Sequence, residues 1–150
     1  MLDREVDEIC RCALALLARR EPTGKELRRK LEGRGVERAL IVQVLDELRS
    51  EGLQSDGRFA ENYVRARAEK GCGPLRIAQE IKARGIEASM VEEQVRVNAP
   101  EEDSRIVALR SKRFGKRPAT DTAERLHQYR FLQYRGFTAA QIRRLMPVDE

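Results

Sequence analysis

Leu27 and Leu31 stand one helical turn apart on a segment whose intervening positions are Arg28, Arg29 and Lys30. After a break at Gly35, Leu40, Ile41, Val44, Leu45 and Leu48 recur three and four apart. Apolar positions at that spacing form one face of a helix, so this stretch predicts two amphipathic helices joined by a tight turn. Upstream, "CRCALALLARR" places Cys10, Ala13, Leu14 and Leu17 on one face of a preceding helix that ends at "EPT". The unit reads helix, turn, helix, turn, helix.

The same pattern returns further along. Adding fifty to Leu27, Leu31, Val36, Ile41 and Leu45 lands on Ile77, Ile81, Ile86, Val91 and Val95 without a gap. Adding fifty-one more gives Gln128, Leu132, Phe137, Ile142 and Met146, apolar in all but the first. The turn itself is written three times, as "RGVE" at 34–37, "RGIE" at 84–87 and "RGFT" at 135–138. An Arg-Gly pair followed by an apolar residue marks a helix end, because glycine supplies the left-handed conformation and the next side chain folds back on the last turn. A period near fifty marks an array in which each unit buries its apolar face against a neighbour. The expected fold is all-α: an elongated, curved tandem array of three three-helix repeats, covering residues 1–52, 53–100 and 101–150.

Start signals fit that division. Thr23 with Glu26, Asp121 with Glu124 and Thr138 with Gln141 have the spacing of capping boxes. Ser55 and Asp56 can cap a helix that carries Phe59, Ala60, Tyr63 and Val64 inward, and Pro74 suits a first helical position, where its missing N–H costs nothing. "NAPEEDS" at 98–104 reads as the connector between the second and third repeats, with its acids placed before a helix beginning at Ser104.

Composition agrees with helices. Charged residues make up 37% of the chain and aromatics 5%, with no Trp, which suits solvated helices better than sheets. The net charge of +5 is uneven: residues 105–150 hold eleven Lys/Arg against four Asp/Glu, and residues 1–104 hold nineteen against twenty-one. The last third therefore favours polyanions or acidic protein surfaces. The acidic start "MLDREVDEIC" does not read as a signal peptide, no apolar run reaches membrane-spanning length, and the expected location is the cytosol. Three cysteines and one distant histidine indicate neither a disulfide framework nor a zinc site.

No catalytic constellation emerges. Gly24-Lys25 lacks the upstream glycine loop of a phosphate-binding site, and "GCGP" follows no strand. Carboxylates interleave with Lys/Arg as solvated helix pairs do. The expectation is a non-enzymatic protein with no cofactor. Two classes of function fit: a module that docks along a larger protein assembly, or a helix-turn-helix protein that binds nucleic acid directly. Against the second, the helix carrying Leu40 to Leu48 is aliphatic on one face and shows Asp46 and Glu47 on the other, with no base-reading set.

"RFAENYVRARAEKGCGPLRIAQEIKARGI" at 58–86 resembles the RecX family, the bacterial regulators of RecA recombinase. Arg58-Phe59-Ala60-Glu61, Tyr63-Val64, Arg67, Gly71-x-Gly73-Pro74, Arg76-Ile77, Glu80 and Gly85-Ile86 fall in that family's order and spacing. Residues 16–31 resemble its first repeat and 130–142 its last, with Pro22 in place of the His often found before the cap. The resemblance implies an array that lies in the groove of the RecA filament on single-stranded DNA and restrains ATP hydrolysis, strand exchange and stimulated repressor cleavage. It implies a RecA filament as partner. Charge adds at most weak, sequence-independent contact with DNA, and the expected state is monomeric.

No family motif fixes the contact residues, so charge and exposure select them. Arg65, Arg67, Lys70 and Arg76 flank the "GCGP" turn, and Lys112, Arg113, Lys116, Arg117, Arg130 and Arg135 carry most of the third repeat's excess charge. Phe59, Tyr63 and the glycines are assigned to the fold, because an apolar ring at helical period is core.

Overall fold

A computed structural model describes residues 2–18 and 20–146, with the side chains of 2 and 3 left aside. Among the described residues there are eight helices and no strand: α1 (Leu2–Leu17), α2 (Gly24–Gly33), α3 (Arg38–Ser50), α4 (Asp56–Glu69), α5 (Pro74–Ala83), α6 (Ala88–Phe114), α7 (Thr122–Arg135) and α8 (Ala139–Leu145). None of them is long and apolar enough to cross a membrane.

The core is divided in three, as the period requires. Val6, Ala13, Leu27, Leu31, Ile41, Val44, Leu45 and Leu48 form the first cluster. Phe59, Ala60, Val64, Ala68, Cys72, Ile77, Ile81, Ile86 and Val91 form the second, and Ile106, Leu132, Phe137, Ile142 and Met146 the third. A compact 17.2 kDa chain would expose about 7,800 Å². This one exposes 9866 Å², the excess expected of units strung in a row.

The array is continuous where the sequence suggested a connector. Residues 98–104 are helical, so the third helix of repeat two and the first of repeat three are one rod, α6, of 27 residues. Its inward stripe runs through Val91, Val95, Asn98, Glu102, Ile106 and Arg110 at spacings of three and four. The stripe is unbroken, but Asn98 and Glu102 are polar, which disguises it. Pro100 sits on the exposed side, where water can bond the carbonyl its ring leaves unpaired. The acids read as N-terminal charges are engaged instead: Glu101 pairs with Arg105 at 2.8 Å and Asp103 with Arg144 at 2.6 Å. Glu102, 7% exposed, accepts a hydrogen bond from Gln141, and burial pushes its carboxyl above the usual range.

Caps fall where the sequence put them, with two departures. Thr138 and Gln141 form the full reciprocal box. Thr23 accepts from the Glu26 amide, but the Glu26 carboxylate turns to Arg84 at 3.3 Å. Asp121 likewise caps the Glu124 amide, while Glu124 holds the Thr120 hydroxyl and amide. Gln128, at the position where an apolar residue recurs, is buried and accepts from Arg110, itself 5% exposed. Arg110 also donates to the Arg117 carbonyl at 2.7 Å and so ties down the loop before α7.

The three Arg-Gly turns have a second role. Besides closing α2, α5 and α7 with glycine at positive φ, the later two receive the repeat before them. The Thr23 hydroxyl, at the N-terminus of α2, donates to the Arg84 carbonyl at 2.7 Å. The Gly73 amide, at the N-terminus of α5, donates to the Arg135 carbonyl at 2.7 Å, and Leu75 N–H to that of Gly136 at 3.0 Å. Thr23 and Gly73 are fifty residues apart, Arg84 and Arg135 fifty-one. One joint is thus built twice, each time from the start of a repeat's middle helix and the turn of the next repeat.

Candidate interaction groove

At the second joint the end of α4, the distal half of α6 and the end of α7 enclose an open groove of about 590 Å³. Lys70, Arg105, Lys112, Arg113 and Arg135 line it, with Glu69 as the one carboxylate. Its apolar floor is Leu109 and Phe131. Gly71, at φ +85, lets α4 end tightly against Leu109; a Cβ there would stand 3.2 Å from a Leu109 methyl. The guanidinium carbons of Arg113 and Arg135 each lie 5.6 Å from the Phe131 ring centre, close enough for cation–π attraction to hold both heads at the rim. Phe114 meets the same ring edge-on at 5.3 Å and keeps it from turning.

Four of the ten residues chosen by charge, Lys70, Lys112, Arg113 and Arg135, therefore converge from two repeats. Arg105 joins them and the sequence reading missed it. Placing a helix start at Ser104 made it a terminal residue rather than one on the inward side of a continuous rod. Its Nη1 is buried without a protein partner, an unmet donor at the base of the groove.

The other six do not join the groove. Arg67 makes two hydrogen bonds to the Glu80 carboxylate, at 3.0 and 2.9 Å, and Arg76 stands 3.5 Å from the same group. Tyr63 donates its hydroxyl to Glu80 at 2.7 Å, and its ring stacks with Phe59 under the Arg84 guanidinium. Arg67, selected as a contact, holds α4 to α5, and Arg76 pairs along α5 itself. Arg76 also faces the exposed Tyr134 ring on the far side of the joint. Arg65 pairs along its own helix with Glu61 and Asn62. Lys116 and Arg117 are exposed on the loop after α6, and Arg130 is exposed on α7.

Glu80 gives the cluster a pH signature. Burial alone would raise its carboxyl, but hydrogen bonds from Arg67 and Tyr63, with the charges of Arg67 and Arg76, hold it below the ordinary 4.5. A depressed folded value stabilises the protein above the unfolded range and is lost as pH falls through the folded value. Glu80→Gln is therefore expected to lose about 2 kcal/mol at neutral pH, the worth of charged hydrogen bonds, and to flatten the acid limb of stability. Urea unfolding at pH values on either side of 4.5 measures both. An equally steep acid limb in the variant would take the role from Glu80.

Family models and known proteins place this architecture. The chain matches the RecX first three-helix domain over residues 11–48, the second over 55–93 and the third over 101–146. It is 46% identical to the regulatory protein RecX of Halorhodospira halophila over 131 residues, 87% of this chain and 81% of that one. It is 38% identical to the regulatory protein RecX of Pseudomonas entomophila over 136 residues, 91% and 88% of the two chains. The crystal structure of RecX from Lactobacillus salivarius superposes with a TM-score of 0.85 over 95% of both chains at 20% identity, so the fold persists where most side chains differ. With all three domains matched in order and the fold shared, the chain belongs to the RecX family.

Proposed function

We propose that this chain regulates RecA recombinase, chiefly as an inhibitor. It docks along the RecA filament on single-stranded DNA and restrains ATPase, strand-exchange and co-protease activity. The observation that carries the reading is the convergence of Lys70, Arg105, Lys112, Arg113 and Arg135 on one groove between two repeats of a RecX array. An open, cationic groove with few carboxylates attracts an acidic surface or a phosphate backbone. The role is binding and not turnover, in keeping with a family of regulatory proteins.

The array acts in the cytoplasm as a monomer, and its repeats are the units 1–52, 53–100 and 101–150. Contact with DNA is weak and independent of sequence, because Arg and Lys reach phosphates while no Asn or Gln set is aimed at base edges. Titrating RecA's single-stranded-DNA-dependent ATPase with the full chain is expected to lower the rate progressively, more steeply at low salt than at high. An unchanged ATPase at saturating protein would overturn the reading. A strong preference for one duplex sequence would promote direct nucleic-acid binding in its place.

A further inference from the structure

Tyr134 is the exception among the aromatic rings. Phe59 and Phe137 are buried, Tyr63, Tyr129 and Phe131 pack against the second and third core clusters, and Phe114 meets His127 and Phe131 edge-on. Tyr134 stands 79% exposed on α7. Beside it Leu75, itself exposed, opens a hollow of about 630 Å³ lined also by Arg76, Gln79, Gln133 and Ala139. The hollow lies across the joint from the cationic groove, and no carboxylate lines it. The Arg76 guanidinium carbon is 5.6 Å from the Tyr134 ring centre, near enough to steady the ring by cation–π attraction while most of it stays open to solvent.

Cations border this ring from three helices. Arg76 of α5 is partly neutralised by Glu80 at 3.5 Å, which it shares with Arg67. Arg130 stands one turn before Tyr134 on the same face of α7. Arg143 of α8 turns back to the carbonyl of Ala139, a lining residue, at 3.4 Å. Arg130 and Arg143 are both exposed, and no acid stands within four residues of either along its helix. A bare π face flanked by cations and free of carboxylates is the chemistry that holds an unpaired nucleobase and the phosphates beside it. An acidic protein surface would pair with the arginines and leave the ring bare. A duplex would bring phosphates, but with its base faces already stacked on one another.

We propose that Tyr134 is the stacking site for a base of single-stranded nucleic acid, with Arg130 and Arg143 on the adjoining phosphates. The site deepens the weak, sequence-independent DNA contact described above: every base has a π face, so stacking favours an unpaired strand over a duplex without reading its sequence. It is separate from the groove, whose own ring, Phe131, is already covered by Arg113, Arg135 and Phe114. The proposal rests on that reading for DNA as the ligand, and its test needs no RecA, so either can fail without the other.

The chain holds no Trp, so Tyr134→Trp places a single indole at the site. Its fluorescence is expected to be quenched as oligothymidylate is added to the full chain at low salt, and far less by a duplex or an abasic strand of the same length. Tyr134→Ala is expected to weaken binding of the oligothymidylate by about tenfold, the effect of one stacked base, and to leave the abasic strand unaffected. Tyr134→Phe keeps the π face and is expected to bind as the parent does. The ring is too exposed for its truncation to unfold the chain, which melting curves check. A parent that binds no oligothymidylate overturns the proposal, as does equal quenching by the abasic strand. So does a Tyr134→Ala chain that binds the oligothymidylate like the parent; if that variant has also lost inhibition of the RecA ATPase, the face meets protein and not a base.

Discussion

Gly136→Ala is expected to destabilise the protein by about 4 kcal/mol, because three costs fall on one methyl group. The glycine sits at φ +106, a conformation that L side chains rarely adopt. A Cβ there would stand 2.5 Å from the Arg76 Cβ and 2.8 Å from the Arg76 nitrogen, and a backbone atom cannot swing aside as a flexible side chain can. Moving α5 away to make room would break the Gly73 and Leu75 hydrogen bonds to the Arg135 and Gly136 carbonyls. Two other glycines separate these contributions. Gly35 shares the turn and a φ of +81 but has no neighbour, so Gly35→Ala should cost only about 1 kcal/mol, from backbone strain. Gly33, within α2 with open space around it, should tolerate alanine or gain slightly from it. Urea unfolding of the three variants gives the order directly. Equal costs at Gly35 and Gly136 would mean that the joint contributes nothing to stability.

That series also marks what the sequence could disclose. The fifty-residue period, the helix class and the turn positions were legible because each rests on local chemistry: apolar spacing, capping hydroxyls and glycine at a left-handed bend. The joint was not, since Gly35, Gly85 and Gly136 look alike in sequence and differ only in what packs over them. The long α6 was hidden for a related reason. Polarity at Asn98 and Glu102 reads as solvent exposure, and only the neighbouring repeat reveals that both face inward. Charge selection found Lys70, Lys112, Arg113 and Arg135 but could not tell them from Arg67, because a cation's partner across a helix pair has no signature at fixed spacing; Arg76, four residues before Glu80 on α5, did carry one. Glu80 lies thirteen residues from Arg67.

Removing the groove's charge is expected to have the largest effect on function. Lys70→Ala, Lys112→Ala and Arg113→Ala together should raise the concentration needed for half-inhibition of the RecA ATPase by about tenfold or more and flatten its dependence on salt. The comparison is Lys116→Ala with Arg117→Ala, which takes two charges of the same sign from the adjoining loop but leaves the groove intact. Long-range attraction counts net charge and would respond to both variants nearly in proportion. Docking in the groove depends on where the charges converge, so the loop pair should shift inhibition by less than about threefold, the steering effect of distant charges. Neither set reaches a core cluster, and exposed cations contribute little to folding, so both variants should melt within a few degrees of the parent. Arg135 is kept in both, because with Arg113 replaced it is the cation left over the Phe131 ring that forms the floor. Equal losses from the two variants would reduce the groove to a share of overall charge. Full inhibition by the triple variant would move the docking face elsewhere on the array, and the Tyr134, Leu75 and Arg76 surface across the same joint would be the next to alter.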